Sequence, residues 1–374
     1  MKFSKEDTQK VKGVAIIFML IHHCFLSPDR YKGKVVDFQP FQEWIVNDVA
    51  LAMKICVAMF VFLSAYGIAL SLKRVNSEFM LSKKEISNAV IKRYVKLITG
   101  FIFVFLLLQI YSIITGQGWY THVYGKETIG VLYFFIDMLG LAQFFQTPTF
   151  ISTFWYMSLA QIIIWVVPVM IWLYKKFGGM VALGISATFS MLFPIKTANT
   201  AASKTYVFFP IYIVCIVVGI IAADKDLIVK MKKYNPIKRI PALGKLLKCI
   251  AYLIAIIIIL YFRHKTRLTT LLPIWEGIVT LLVIAFIFEY MNGIPGIKNI
   301  LSLLGKHSMN IFLIHSFIRM AWYYDFIYSF KNAYLIVAVL LTTSLCASFI
   351  IEFIRKVIGF DKGVSWLMHK MRID

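Results

Sequence analysis

Apolar runs long enough to cross a bilayer alternate with short polar stretches along the whole chain, at residues 12–27, 50–72, 97–116, 152–174, 179–194, 206–223, 247–262, 271–289, 308–324 and 334–354. A helix rises about 1.5 Å per residue, so about 20 apolar residues cross a hydrocarbon core of about 30 Å. The pattern predicts an all-α polytopic membrane protein with about ten transmembrane helices. No long polar segment separates the runs, so residues 1–374 read as a single integral membrane domain. No internal repeat is evident, which argues against a transporter built from inverted halves.

An eleventh apolar segment, "IGVLYFFIDMLGLAQFF" at 129–145, has to be placed before the topology closes. If it does not cross and the N-terminus is cytoplasmic, the cytoplasmic stretches hold 28 of the 40 Lys and Arg and the external ones 10, with Lys54 and Arg319 inside spans. If it crosses, the basic stretch 224–248 falls outside, against the positive-inside rule. The segment is therefore expected to be re-entrant or interfacial, which polar backbone tolerates where protein covers it. Both termini are then cytoplasmic, in a multi-pass protein of the cell (plasma) membrane.

Composition agrees: 60% of the 374 residues are hydrophobic and 16% charged, and the mean hydropathy is +0.77. The formal charge of +22 suggests no nucleic acid, because the basic residues sit in short loops where membrane orientation explains them. The lipid bilayer is the partner that composition names. Cys24, Cys56, Cys215, Cys249 and Cys346 lie in or beside apolar helices without metal-ligand spacing or a disulfide pattern, so packing is their expected role and no metal is expected. "RHKTR" at 263–267 is an external basic cluster that either meets an anionic ligand or ends a helix by snorkelling.

Polar groups inside the apolar runs are the candidate chemistry. "VKGVAIIFMLIHHCFL" (11–26) is no signal peptide, since His22, His23 and Cys24 stand where small residues and a cleavage site would be needed. From Lys12 to His23 is eleven steps, three turns plus about 20° and a rise of about 16 Å, so the two share a helix face while His22 is turned away by about 100°. That face could guide a long anionic ligand; alternatively, either imidazole simply hydrogen-bonds a neighbouring helix. Arg93 and Lys96 in "KRYVKL" are three apart and, with Lys12, could bind phosphates or serve only to orient the chain. Lys54, Glu276, His315 and Arg319 are costly in lipid, so they either surround a polar cavity that binds substrate or pair structurally. In "MFVFLSAYGIAL", Ser64, Ala65 and Gly67 suit close helix packing.

In order along the chain, "KGVAIIFMLIHH", "MFVFLSAYGIAL", "KRYVKL", "FWYMSLAQIIIWVVP" and "HSMNIFLIHSFI" resemble the acyltransferase 3 family of membrane O-acyltransferases, over nearly the whole chain. The resemblance implies a membrane enzyme that moves an acyl group, usually acetyl, from cytoplasmic acyl-CoA to a hydroxyl of a surface glycan or its lipid-linked precursor. By position, Lys12 matches the basic residue and His23 the essential histidine of the family's first-helix motif. Arg93 and Lys96 match its paired basic motif, which more often carries two arginines. The "SAY" at 64–66 replaces the commoner Ser-Gly-aromatic, and Ala160 and Gln161 follow Trp155 where many members carry a glutamate. Those departures suggest a stand-alone member, without a fused esterase-like domain, acting on capsule, exopolysaccharide or common-antigen sugars. Under this reading His23, with His22 beside it, is the catalytic candidate as general base or transient acyl acceptor. Lys12, Arg93 and Lys96 hold the phosphates of the acetyl-CoA donor. The alternative from another class is an exporter or flippase of polysaccharide or lipid-linked sugar, which would not depend on acyl-CoA.

Overall fold

The computed structural model describes residues 2–116, 120–125, 128–192, 204–266, 270–291 and 294–371. Along the chain, α1 (Lys5–Phe25) and α2 (Glu43–Ala52) precede α3 (Ile55–Val75) and α4 (Lys83–Thr115). Then α5 (Tyr120–Tyr124), α6 (Thr128–Met138) and α7 (Ala142–Phe145) lead to α8 (Trp155–Phe177), α9 (Gly179–Met191) and α10 (Lys204–Asp224). After α11 (Leu227–Lys233) come α12 (Pro241–Lys265), α13 (Leu272–Tyr290), α14 (Ile297–Lys306) and α15 (Ser308–Ser316). The chain finishes with α16 (Tyr324–Ser329), α17 (Ala333–Val357) and α18 (Phe360–Lys370). Among the described residues the sole β pairing is an isolated bridge between Asp37 and Asn332, so the protein is all-α and polytopic.

By length and apolarity alone, six helical stretches qualify as membrane spans among the described residues: Glu43–Val75, Lys83–Thr115, Ser152–Phe177, Pro241–Lys265, Leu272–Tyr290 and Ala333–Val357. Of the other expected spans, 206–223 falls on α10, and the remaining three differ for physical reasons. The first two turns of α1 are polar and its last turn holds two histidines, while α9 has 13 residues. The expected span 308–324 is nine residues of α15 continued by a π-helix, Phe317–Trp322. The segment 129–145 is not one helix: α6 has 11 residues and rises about 16 Å, half of the hydrocarbon core, before the chain turns at Gly140.

Two compact units make up the chain. The first is Met1–Ile16, Lys54–Ser82 and Ile163–Lys306. The apolar stretch of α13 is 67% buried, whereas α12 is 17% buried and presents Ile254, Ile257 and Ile258 outward. Helix α10 packs on α3, α9 and α13. At its crossing with α3 a Cβ on Gly219 would stand 2.8 Å from the Phe62 carbonyl oxygen and 3.3 Å from Ala65 Cβ, so small residues set that approach, as "LSAYG" suggests. A second close crossing joins α1 to α14, where Gly13 faces the Leu301 backbone and Gly305 the Gln9 backbone. Phe3 is pinned edge-on between Tyr66 and Phe288, at 5.4 and 5.1 Å.

The second unit is Ile17–Met53, Lys83–Ile162 and His307–Asp374. Helix α15 packs along α17, with Asn310 Nδ2 donating to Ser348 Oγ (3.0 Å) and Glu352 Oε1 (2.9 Å). The turn between α6 and α7 is fastened from both sides. Asp137, fully buried, accepts from the Tyr124 hydroxyl (2.7 Å), Thr149 Oγ1 (2.9 Å) and the Phe150 amide (2.6 Å). From α8, Ser158 Oγ donates to the Gly140 carbonyl at 2.7 Å and Gln161 Nε2 to the Leu139 carbonyl at 3.0 Å. Such bonds satisfy the irregular backbone of the turn.

Candidate active site

Three imidazoles meet in the second unit. Helix α1 brings His22 and His23 to its C-terminal turn, and α15 brings His315 to its own. The His23 ring lies 5.3 Å from that of His22 and 5.0 Å from that of His315, centroid to centroid. Their surroundings separate their roles. His22 is 8% exposed, and its Nδ1–H donates to the Ala50 carbonyl at 2.8 Å. A carbonyl only accepts, so this bond puts the His22 proton on Nδ1.

His315 is fully buried and held at both nitrogens. Its Nδ1–H donates to the Phe312 carbonyl at 2.7 Å, and Nε2 accepts from Ser316 Oγ at 3.0 Å. His23 is half-buried. Its Nδ1 is enclosed and has no hydrogen-bond partner among the described residues. A buried polar atom left unpaired costs about 1–3 kcal/mol, and such atoms gather where a ligand completes the bonding.

Immediately after His315 the helix widens. The π-turn Phe317–Trp322 is closed by the Tyr323 amide donating to the Ile318 carbonyl at 3.2 Å, and single π-turns are frequent at functional sites. Arg319, on this turn, is 2% exposed. Its Nη2 rests 3.2 Å from Met320 Sδ, and Nε has no partner among the described residues. The Tyr328 hydroxyl donates to the Cys24 carbonyl at 3.2 Å and borders the same guanidinium. Arg30, half-buried in the loop after α1, is the next cation. Burial, and after it the Arg319 charge, pull the Arg30 guanidinium below its ordinary range, with Tyr328 and Asp29 opposing. Ion pairs in this unit join Lys34 to Asp325 and Arg355 to Glu352 and Asp361; among the described residues none includes Arg319 or Arg30.

The remaining sequence candidates fall as follows. Lys12 lies in the first unit, half-buried on α1, which is unbroken from Lys5 to Phe25 and so keeps the helical register between Lys12 and His23. Arg93 and Lys96 lie in the second unit on α4, Arg93 half-buried and Lys96 exposed. Lys54, beside α3, and Glu276, on α13, belong to the first unit, while His315 and Arg319 belong to the second. Glu276 is 2% exposed and its partner is Arg263, whose Nη2 and Nε reach Oε1 at 2.7 and 2.9 Å. Arg263 of the "RHKTR" cluster thus turns inward rather than snorkelling; Arg267 lies outside the described residues. Among the described residues no group of three or more His, Cys, Asp or Glu could hold a metal ion.

Sequence reasoning missed several of these groups. Ser316, Asp137 and Arg30 were visible as polar residues in or beside apolar runs, yet nothing local marks what each contacts once folded. Asp137 carried the clearest signal, a lone carboxylate in "FFIDMLG".

Residues 11–353 match the family model described as an acyltransferase domain, that of acyltransferase 3. The comparisons with curated proteins and with solved structures find no match.

Proposed function

The chain belongs to the acyltransferase 3 family and is a membrane acyltransferase; from that premise we propose that it moves a short acyl group, acetyl by preference, from cytoplasmic acyl-CoA to a hydroxyl of a cell-surface polysaccharide or lipid-linked glycan, with His23 at the reacting centre. The observation that carries this reading is the contrast among the three imidazoles. His22 and His315 are committed to hydrogen bonds, whereas His23 keeps accessible surface and an Nδ1 without a hydrogen-bond partner among the described residues.

An acyl thioester is already activated, so the protein has to make the acceptor hydroxyl more nucleophilic and hold it in line. His23 takes the hydroxyl proton as the oxygen attacks the thioester carbon; the C–O bond forms, the C–S bond breaks, and the proton passes to the leaving thiolate to give CoA thiol. General-base assistance of this kind contributes ~10²- to 10⁴-fold. The balance is the same if the imidazole first accepts the acyl group and then yields it to the hydroxyl. Lys12, Arg93 and Lys96 serve the phosphates of the donor, Arg93 as a planar fork and the lysines as point charges.

The test is release of CoA thiol from acetyl-CoA by purified, folded protein, with and without glycan acceptor, set beside mass analysis of surface glycans from cells with and without the protein. Thiol release that rises with acceptor, and an acyl mass lost from the glycan, are the expected results. Absence of thiol release from any short acyl-CoA would overturn the reading.

A further inference from the structure

In the first unit α11 and α12 line a common groove of about 470 Å³. Helix α11 and the residue that caps it contribute Leu227, Lys230, Met231 and Tyr234, and α12 contributes Lys248, Ala251, Tyr252 and Ala255. Each set runs i, i+3, i+4, i+7, the spacing of one helix face. Leu282 of α13 completes the wall. The hollow owes its depth to Ala251 and Ala255, small side chains on a helix that otherwise presents Ile254, Ile257 and Ile258 outward. Since the apolar stretch of α12 is 17% buried, the bilayer has direct access to this wall.

The two lysines of the groove differ. Lys248, 8% exposed, is spent on the fold: its Nζ donates to the carbonyls of Met231 and Tyr234, the latter at 2.8 Å, and to Glu289 Oε1 at 2.9 Å. It thereby closes the C-terminal end of α11 against α12 and α13. Lys230 is exposed, and among the described residues it pairs with no carboxylate. Around it the stretch 224–248 carries eight Lys and Arg against two Asp. Ion pairs occupy Lys225, on Asp224, and Lys248, on Glu289, and the Lys232 Nζ donates to the Phe288 carbonyl at 3.2 Å. Lys230, Lys233, Lys238, Arg239 and Lys245 have no carboxylate partner among the described residues. Tyr234, 66% exposed, adds an amphipathic ring at the same place, as at a membrane–water boundary.

We propose that the groove between α11 and α12 is a binding site for an anionic phospholipid of the adjoining leaflet, with an acyl chain along Ala251 and Ala255 and the headgroup phosphate taken by Lys230. By the positive-inside rule that leaflet is the cytoplasmic one. An apolar hollow suits the chain of any phospholipid, so selection rests on charge: each basic residue near an anionic lipid surface is worth about fivefold in affinity. The bound lipid ties α11, a helix of seven residues that buries Ile228 and Val229, to α12 and α13. It stabilises the folded protein by mass action.

The test measures binding and stability without reference to acyl transfer. Purified, delipidated protein in a neutral detergent is titrated with dioleoyl phosphatidylglycerol, dioleoyl phosphatidylcholine, inorganic phosphate and acetyl-CoA. Retention is read by native mass spectrometry and stability by the unfolding temperature. Phosphatidylglycerol should be retained at least about tenfold better than phosphatidylcholine and should alone raise the unfolding temperature. Lys230→Gln should cut that preference about fivefold, and Lys230→Arg should keep it. Lys238→Gln removes an exposed charge of the same stretch that does not line the groove, and it should cost less than about twofold. Ala251→Trp, which fills the hollow and leaves every charge in place, should abolish retention of both lipids.

Equal retention of the two phospholipids would reduce the groove to an ordinary lipid-facing surface and overturn the proposal. A loss in Lys238→Gln as large as that in Lys230→Gln would do so as well, since it would show diffuse attraction to the whole basic stretch. Full retention in Ala251→Trp would place the lipid elsewhere. Displacement of the lipid by inorganic phosphate or acetyl-CoA would make this a site for soluble phosphates. A dimer of the delipidated protein that Ala251→Trp dissociates would make the groove a seam between two copies, and each of these results contradicts the assignment.

Discussion

His23 and His315 lie ring against ring, their centroids 5.0 Å apart and their planes tilted by 43°. His315 is fixed by a carbonyl on one nitrogen and a serine hydroxyl on the other, so it has no lone pair or proton to lend. Its ring gives His23 a rigid wall. His22 gives a second, itself tied to the Ala50 carbonyl. The cluster therefore contains one imidazole suited to reaction and two suited to holding it.

The first prediction follows from that division. His23→Ala will lower acyl transfer ~10²- to 10⁴-fold, the range expected for losing a general base, with donor binding intact. His22→Ala removes one buried hydrogen bond, worth about 0.5–1.5 kcal/mol, and will act chiefly on stability. The comparison needs purified, inserted protein, CoA-thiol release as the rate and donor binding measured separately. Full activity in His23→Ala, or inactivity confined to His22→Ala, would reverse the assignment.

On α4, Arg93 and Lys96 are not equivalent, because Arg93 is half-buried and Lys96 exposed. If Arg93 holds a donor phosphate, Arg93→Ala will raise the KM for acyl-CoA about 10- to 100-fold, the equivalent of about 1.5–3 kcal/mol for a hydrogen bond to a charged group. The KM for acceptor should move much less. Lys96→Ala will be milder, since an exposed charge is screened. Unchanged CoA binding in Arg93→Ala would leave the residue with an orienting role only.

The re-entrant placement of 129–145 is testable with single cysteines in a cysteine-free background. Helix α6 is too short to cross, and Asp137, Ser158 and Gln161 hold its turn closed. Cysteines at Thr115 and Pro148 should therefore both react with an impermeant reagent added outside. Reaction of only one from that side would mean that the intervening chain crosses and that the count of basic residues misled.

The legible part of this molecule was whatever repeats or costs energy locally. Apolar runs revealed the spans because lipid forbids unsatisfied backbone, and the Lys12–His23 spacing survives because α1 is unbroken. The short helix α14 escaped notice in a stretch read as loop, although Ile297, Ile300, Leu301 and Leu304 form an amphipathic face there. The bonds that separate the three histidines were invisible, because carbonyls such as those of Ala50 and Phe312 are common to every residue and only folding brings one to a ring. The π-turn left no signature either. Arg263 was read with its neighbours in "RHKTR" when its partner, Glu276, stands thirteen residues on, across the α12–α13 connection.

That pair supports the last prediction. Glu276 and Arg263 are both nearly inaccessible, at 2% and 7% exposure, so each charge depends on the other. Removing one partner of a buried pair leaves an uncompensated charge and costs about 3–5 kcal/mol, whereas replacing both by apolar residues of similar size is often neutral. Glu276→Gln should therefore lower the unfolding temperature of the purified protein sharply, and Arg263→Met should do the same. The double variant Arg263→Met/Glu276→Leu should recover most of the loss. If the pair is purely structural, the double variant will also recover acyl transfer. If Glu276, whose Oε2 has no partner among the described residues, binds acceptor as the sequence suggests, stability will return while the KM for acceptor stays high. Recovery of neither stability nor transfer would contradict the assignment of the two residues to one ion pair, because two independent losses would then simply add.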